Sequence, residues 1–368
     1  MTLAPYTPDL VPAVRAFNRR MQPAAVTPFP EWPVSDWLPK TPGRAIHEEM
    51  FVALDGAEVR GGYILKRQPV HFGGEGVEAA GLRAPVSEGV LDGAYRMVGI
   101  QAVRDALRRQ PLLFGMGMGG EKEPVARLLK AMGWSIEPVP FYLKVTDGFR
   151  FLRQAAALRH TAWRRGLADL AAFSGAGWLG ARLLNAARTR NRGLARRLEI
   201  GRMNRFEPWC DELWNACRRR YSLISARDTQ TLNALYSPAD PKFLRLRVSE
   251  AGRPVGWAVV VDRQLHGHDR FGNLRAGLIM DALALPEDAE KVIGGAVTVL
   301  EQRGVDVLRS HQSHPAWGAA LARCGFLNGP SYFLFGAAPA FADKLNRVDP
   351  QRRGVFLNRG DGDGQLYL

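Results

Sequence analysis

Pro85-Val86-Ser87-Glu88-Gly89-Val90-Leu91-Asp92-Gly93-Ala94-Tyr95-Arg96-Met97-Val98-Gly99-Ile100-Gln101-Ala102-Val103-Arg104-Asp105-Ala106-Leu107 is the stretch on which the fold of this chain turns. It reads as a strand running out near Ser87, a tight turn at Asp92-Gly93, and a helix from about Tyr95 to Arg109. The helix opens with Arg96-x-x-Gly99-x-Gln101. A glycine in the first turn lets another group approach the backbone closely. The first N–H groups of a helix lack carbonyl partners and lie at its positive end, which suits a phosphate or pyrophosphate. A carboxylate, Glu88, stands at the strand end. Taken alone, the stretch reads first as an ordinary strand–turn–helix with one tolerated glycine.

Working outward, residues 7–20 have the spacing of a first helix, and 22–45 read as an irregular loop rich in proline and tryptophan. Strand-like runs follow at Met50–Leu54, Gly61–Lys66 and Val77–Val90. After the opening stretch come a buried strand from Pro111, a helix from about Glu123 to Met132, Gly133-Trp134, and a strand Val139–Val145. Gly115-Met116-Gly117-Met118-Gly119-Gly120 joins a strand to a helix, but its spacing is not that of a dinucleotide loop, and no acidic residue closes a second strand.

From residue 206 the order of elements begins again. Helices are expected at 206–220 and Thr229–Leu235, and strands at Phe243–Val248, Val255–Asp262 and Ala276–Leu285. Then Lys291-Val292-Ile293-Gly294-Gly295-Ala296 opens a helix to Gln302, followed by strand Val305–Ser310, helix Ala316–Arg323, Gly325-Phe326 and strand Tyr332–Phe335. In each half a basic residue, two spacers, glycine, one spacer and a small or polar residue open the central helix. In each half the later helix ends in glycine plus an aromatic.

A chain of 368 residues exceeds the size at which one core stops growing, so two domains are expected. The apolar and charged fractions, 46% and 23%, are globular values. Three cysteines cannot build a disulfide framework, and Cys210 and Cys217, seven apart in a helical pattern, share a packing face. His311 and His314 lack a third ligand nearby, so no metal site is expected; they are candidates for substrate contact. Asp361-Gly362-Asp363-Gly364 fails the calcium-loop pattern, and the tail 348–368 reads as peripheral. The N-terminus lacks the basic and apolar regions of an export signal, so a cytoplasmic location is expected.

The net charge of +14 sits mostly in one place. Residues 150–205 hold thirteen arginines against Asp169 and Glu199, so the two halves flanking them are nearly neutral. This segment reads as a helical connector, in the first place a helical pair packed on its own domains with a solvated arginine face. Its apolar run is too short to span a bilayer, but arginines beside tryptophan and leucine suit peripheral contact with an anionic membrane. A nucleic-acid role is disfavoured, because the alternation of arginine with aromatics that single-strand binders use is absent.

The duplicated pattern resembles the GNAT superfamily, the acyl-CoA N-acyltransferase fold, in a tandem two-domain arrangement. That family's pyrophosphate loop is Gln/Arg-x-x-Gly-x-Gly/Ala after the fourth strand. Arg96-Met97-Val98-Gly99-Ile100-Gln101 matches except at its last position, and Lys291–Ala296 except at its first. Gly133-Trp134 and Gly325-Phe326 match the Gly-Phe that ends the next helix. The resemblance implies an α/β (α+β) chain of two GNAT-like domains, residues 1–145 and 205–338, each a mixed, mostly antiparallel sheet flanked by helices. The basic connector would be 146–204 and the tail 339–368.

What the resemblance implies chemically is a ternary-complex acyl transfer. Acetyl-CoA or another acyl-CoA would be the cosubstrate, held by Arg96, Val98, Gly99 and Gln101 or by Lys291, Gly294, Gly295 and Ala296. Glu88 and Asp281 would be the candidate bases, taking a proton from an amine, or a hydroxyl, of a small metabolite or sugar-linked intermediate. No metal takes part. Gln101 departs from the family's small residue and would narrow the phosphate space. Leu129 and Leu321 stand where many members carry a tyrosine that protonates the leaving thiolate. Two alternatives follow: a transferase similar to the FemABX group, drawing on aminoacyl-tRNA, or a catalytically degenerate pair serving as a scaffold at a membrane surface or in a complex.

Overall fold

The computed structural model describes residues 1–24, 26–154, 197–364 and 366. The first half of the chain forms β1 (Thr2–Pro5), α1 (Val11–Met21), β2 (His47–Asp55), β3 (Glu58–Phe72), β4 (Glu75–Ser87), α2 (Val98–Arg109), β5 (Leu113–Gly117), α3 (Pro124–Ala131), β6 (Ser135–Pro138), β7 (Phe141–Val145) and α4 (Gly148–Gln154). The second half forms β8 (Leu198–Met203), α5 (Trp209–Cys217), β9 (Leu223–Ser225), α6 (Thr229–Leu235), β10 (Leu244–Glu250), β11 (Arg253–Gln264), β12 (Arg275–Ala284), α7 (Ala289–Gln302), β13 (Val307–His311), α8 (Pro315–Arg323), β14 (Leu327–Gly329), β15 (Leu334–Ala337) and α9 (Pro339–Val348).

These elements gather into two compact units. Unit 1 is Met1–Pro138, Ser222–Leu235 and Tyr332–Arg352; unit 2 is Val139–Tyr221, Tyr236–Ser331 and Arg353–Leu368. The units are therefore not the contiguous stretches 1–145 and 205–338. In unit 1 the strand order is β1-β2-β3-β4-β5-β15-β6, with β9 also on β3, and β15 from the far end of the chain lies between β5 and β6. In unit 2 the order is β14-β7-β13-β12-β11-β10-β8, so β7 from the first half lies beside β13. Each sheet is antiparallel except at one pair, β4 with β5 and β12 with β13.

Strand alternation dresses both faces of the unit 1 sheet. Phe51, Tyr63 and Leu65 point to a core with Val103 and Ala106 of α2, Leu129 of α3 and Trp134. Their sequence neighbours Met50, Val52 and Ile64 point to a second core with Val14 and Phe17 of α1. Each fully buried valine, leucine or phenylalanine contributes roughly 1.5–3 kcal/mol relative to exposure.

Two further sequence expectations change. Residues 198–203, expected within the helical connector, form β8, which pairs with β10 from Arg245↔Met203 to Glu250↔Leu198. The remainder of the connector, 155–196, lies outside the described residues. The tail is not peripheral, because Val355, Phe356, Leu357, Asn358 and Asp361 are buried in unit 2. Its apolar run Val355-Phe356-Leu357 supplies the reason, packing Phe356 against Tyr221 and Trp317. The cysteines are all buried free thiols. No helix among the described residues is long and apolar enough to cross a membrane.

Candidate functional site

β4 and β5 of unit 1 pair in parallel from Ala80↔Leu113 to Leu82↔Gly115 and then part. The cause is a bulge: the β3–β4 register shifts between Gly62 and Ile64, and Ala84 takes a left-handed φ of 42°. Beyond it β4 runs on to Ser87 with no strand partner on its β5 side among the described residues. This is where the sheet's one parallel pair among the described residues comes apart.

At the end of β4 the chain turns twice before α2. Ser87 Oγ accepts from Gly89 N (3.1 Å), and Asp92 Oδ1 accepts from Ala94 N (2.8 Å). Gly89 is required here, because a Cβ would lie 2.6 Å from Tyr95 O. The helix then begins at Val98, about one turn later than its sequence suggests. Its first backbone bond runs from Gln101 N to Met97 O (3.0 Å), leaving the N–H groups of Val98, Gly99 and Ile100 without carbonyl partners. Arg96 is exposed and makes no ion pair among the described residues. Val98 offers only its backbone, since its side chain is fully buried. A Cβ at Gly99 would make ordinary contacts with Leu128 and Ser87, at 3.4 and 3.8 Å.

Gln101 does not narrow this space. Two residues along a helix from Gly99 it points to the other side, where it lines a cleft of about 810 Å³ with Met1, Leu3, Arg104 and Arg108. Its Oε1 is shut off from solvent there without a donor. Glu88 is drawn inward as well. Arg20 donates to it from Nε (2.9 Å) and Nη2 (3.2 Å), and Arg60 from Nη1 (3.1 Å). Burial raises its carboxyl, but the two guanidinium groups outweigh burial and hold it below the usual carboxylate range. A carboxylate so stabilised is a weak proton acceptor, and the expectation that Glu88 is a base meets that obstacle.

Unit 2 repeats the parallel pair but not the opening. β12 and β13 pair from Ala276↔Val307 to Ile279↔Ser310, with a register shift on β11 at Val259/Val260 beside Met280. The tail lies across the point where they part. Asn358 Nδ2 donates to Asp281 Oδ1 (2.7 Å), and Asn358 bridges Gln312, the residue after β13. A Cβ at Gly360 would lie 2.3 Å from Tyr236 Oη and 2.8 Å from Asp281 Oδ2. Asp281 also accepts from Tyr236 Oη (2.9 Å) and Ala282 N (2.8 Å) and is 1% exposed. It is a structural acceptor, not a base facing a substrate.

Gly294, Gly295 and Ala296 lie inside α7, which begins at Ala289, so their N–H groups sit past its open first turn, and only Lys291, its third residue, lies within that turn. The turn before it carries Glu287 and Asp288, which repel an anion. Lys291 Nζ is taken by Glu250 (2.6 Å) and Asp288 (2.8 Å), and Gly295 makes room for Val248. The lysine in the sequence pattern thus marks an ion pair, not a phosphate loop.

Leu129 and Leu321 are both core residues, so neither helix presents a phenol. His314 caps α8, its Nδ1 accepting from Ala316 N (3.2 Å). His311 is buried beside Phe141. Sequence reasoning missed Arg309 and Arg359, whose signal was charge inside buried, apolar stretches. No group of three potential metal ligands occurs among the described residues.

No protein-family model and no curated protein matches the chain. Solved structures do. A conserved protein of Enterococcus faecalis described as a probable N-acyltransferase is similar over 94% of this chain and 74% of its own, at 10% identity and a TM-score of 0.51. The chain has a GNAT fold. A GCN5-related N-acetyltransferase of Anabaena variabilis is similar at 12% identity and TM-score 0.48 over 78% of this chain, which spans only 62% of that protein. The N-myristoyltransferase of Saccharomyces cerevisiae, solved with myristoyl-CoA, is similar at 11% identity and TM-score 0.47 over 82% of this chain and 67% of its own. Within the GNAT fold, the parting of β4 from β5 and the start of α2 are the features left open in unit 1.

Proposed function

We propose that the chain is an acyltransferase that moves an acetyl or other acyl group from acyl-CoA to an amine, or a hydroxyl, of a small metabolite, and that unit 1 holds the donor. One observation carries this reading: among the described residues unit 1 keeps both a parted parallel strand pair and a helix start with free N–H groups beside an Arg96 that makes no ion pair. Val98, Gly99 and Ile100 would donate their N–H groups to the pyrophosphate, with Arg96 as counter-charge. The thioester would lie between the parted strands, where a backbone N–H of β4 past the bulge can polarise its carbonyl. With Glu88 held by two arginines, deprotonation of the acceptor falls to water or to the acceptor's own equilibrium. Calorimetric titration of the full chain with acetyl-CoA tests the reading; saturable binding is expected, and its absence at millimolar concentration would defeat it.

A second reading, a catalytically degenerate pair acting as a scaffold, is favoured by the engagement of both Glu88 and Asp281 and by the leucines at 129 and 321. Release of free thiol from acyl-CoA with an amine panel separates the two. Peripheral contact of 150–205 with anionic membrane rests on sequence charge alone. It predicts salt-sensitive sedimentation with anionic liposomes and none with neutral ones.

A further inference from the structure

Gln101, Arg104, Asp105 and Arg108 follow one another along α2 at spacings of three and four, so they share one face of the helix. That face and β1 bound the cleft of about 810 Å³ in unit 1, with Leu3 and Leu107 in its wall. β1 stands at the end of the strand order and pairs only with β2 among the described residues. Tyr6 N donates to Met50 O (2.9 Å) one register step beyond that pair, and hydrogen-bonded positions alternate along an antiparallel strand. Thr2 and Ala4 therefore turn their backbone groups to β2, while Leu3 turns its N–H and C=O outward and Pro5 offers a carbonyl alone. An edge of this kind is a template for a further strand.

The helix wall beside this edge is basic. Arg104 is exposed and makes no hydrogen bond and no ion pair among the described residues. Arg108 reaches Asp105 Oδ1 (3.3 Å), with 76% of its side chain still exposed. Asp105 is the one carboxylate among the described residues lining the cleft, and it is buried, with Oδ2 accepting from Arg109 Nε (2.7 Å) and from Tyr63 Oη. Its charge is thus engaged within the unit, and Arg104 and Arg108 face the cleft. Leu3 packs on the α2 side of the sheet. Side chains on the matching face of a strand added to β1 would meet those two arginines.

We propose that β1 and α2 form a docking groove for an extended acidic peptide, which adds a strand to β1 and lays its carboxylates against Arg104 and Arg108. Main-chain bonds to Leu3 supply the pairing, and guanidinium–carboxylate contacts select the acidic side chains. A second copy of this chain is the poorer occupant, because pairing β1 with β1 about a two-fold axis would bring the arginines of both α2 helices to one seam. The groove does not depend on acyl-CoA binding at the start of α2.

The test uses the full chain and a hexapeptide alternating valine and glutamate, blocked at both ends and read by calorimetry. Saturable binding that weakens with added salt is expected. The same peptide with lysine in place of glutamate should not bind at equal concentration. Methylating one alternate set of its amide nitrogens should weaken binding about tenfold or more, and methylating the other set should not, because only one edge of the added strand faces β1. Arg104→Glu should weaken binding about tenfold or more and leave the unfolding midpoint unchanged, since Arg104 makes no bond within the described fold. No saturable binding to the wild type, equal binding of the lysine peptide, equal binding of both methylated forms and the parent, or unchanged affinity in Arg104→Glu would each overturn the proposal. A dimer in sedimentation velocity that excludes the peptide would give the edge to a second copy and overturn it as well.

Discussion

Glu88 shows how a residue can look catalytic in the sequence and act structurally in the fold. It stands at the end of β4, eight residues before Arg96, yet Arg20 and Arg60 enclose it. Glu88→Gln keeps the shape and removes the charge from that triad. The expected result is a loss of roughly 1–3 kcal/mol in unfolding free energy with turnover changed less than about tenfold. A far greater loss of turnover, with acetyl-CoA affinity unchanged, would restore Glu88 as the base. Glu49 supplies a pH signature of the same kind. Burial raises its carboxyl, but hydrogen bonds from Lys40 and Arg67 outweigh that and bring it from 4.5 down to about 2. A depressed carboxylate stabilises the fold above its unfolded value and loses that contribution as pH falls through the folded one. Glu49 therefore contributes above pH 4.5 and loses its effect between there and about 2. Glu49→Gln should flatten the acid limb of the stability profile in that window, and an unaltered limb would show that the pair contributes nothing measurable.

At the scale of elements, α2 and α7 occupy equivalent places, each between the two strands of its unit's parallel pair, but begin differently. α2 follows two short turns and exposes its first N–H groups; α7 follows Glu287-Asp288 and encloses its lysine in ion pairs. Lys291→Ala should thus leave acetyl-CoA affinity within about twofold, whereas a pyrophosphate at α7 would make it fall about tenfold. The central helix of each half was legible in the sequence because apolar spacing and turn residues agree there. Their differing starts were not, since basic-x-x-Gly occurs equally at a helix start and inside a helix. β1 and β9 were missed because strands of three or four residues carry too few positions for a period of two to show. β8 was missed because its composition continues the arginine-rich run before it. Glu88 and Asp281 were found as strand-end carboxylates, but their partners Arg20, Tyr236 and Asn358 lie far away in sequence, where no local pattern reaches.

At the scale of the whole chain, two repeated halves were readable from element order, but the exchange of last strands was not. A strand pairs with whichever edge fits, and the sequence of β15 does not say that its place is between β5 and β6. The exchange has a consequence. Residues 1–145 alone lack β15, so unit 1 would carry a gap between β5 and β6. That fragment should show no cooperative unfolding transition by circular dichroism, whereas the full chain should; cooperative unfolding of the fragment would show that the exchanged strand is dispensable. The tail gives unit 2 a closed strand pair and leaves unit 1 the open one, and the assignment of the acyl donor rests on that asymmetry. Its most direct test is calorimetry of acetyl-CoA binding to the wild type, Arg96→Glu and Lys291→Glu. Binding should be saturable, weaken by about tenfold or more in Arg96→Glu and hold in Lys291→Glu. Absent binding to the wild type, or a loss confined to the Lys291 variant, would contradict it.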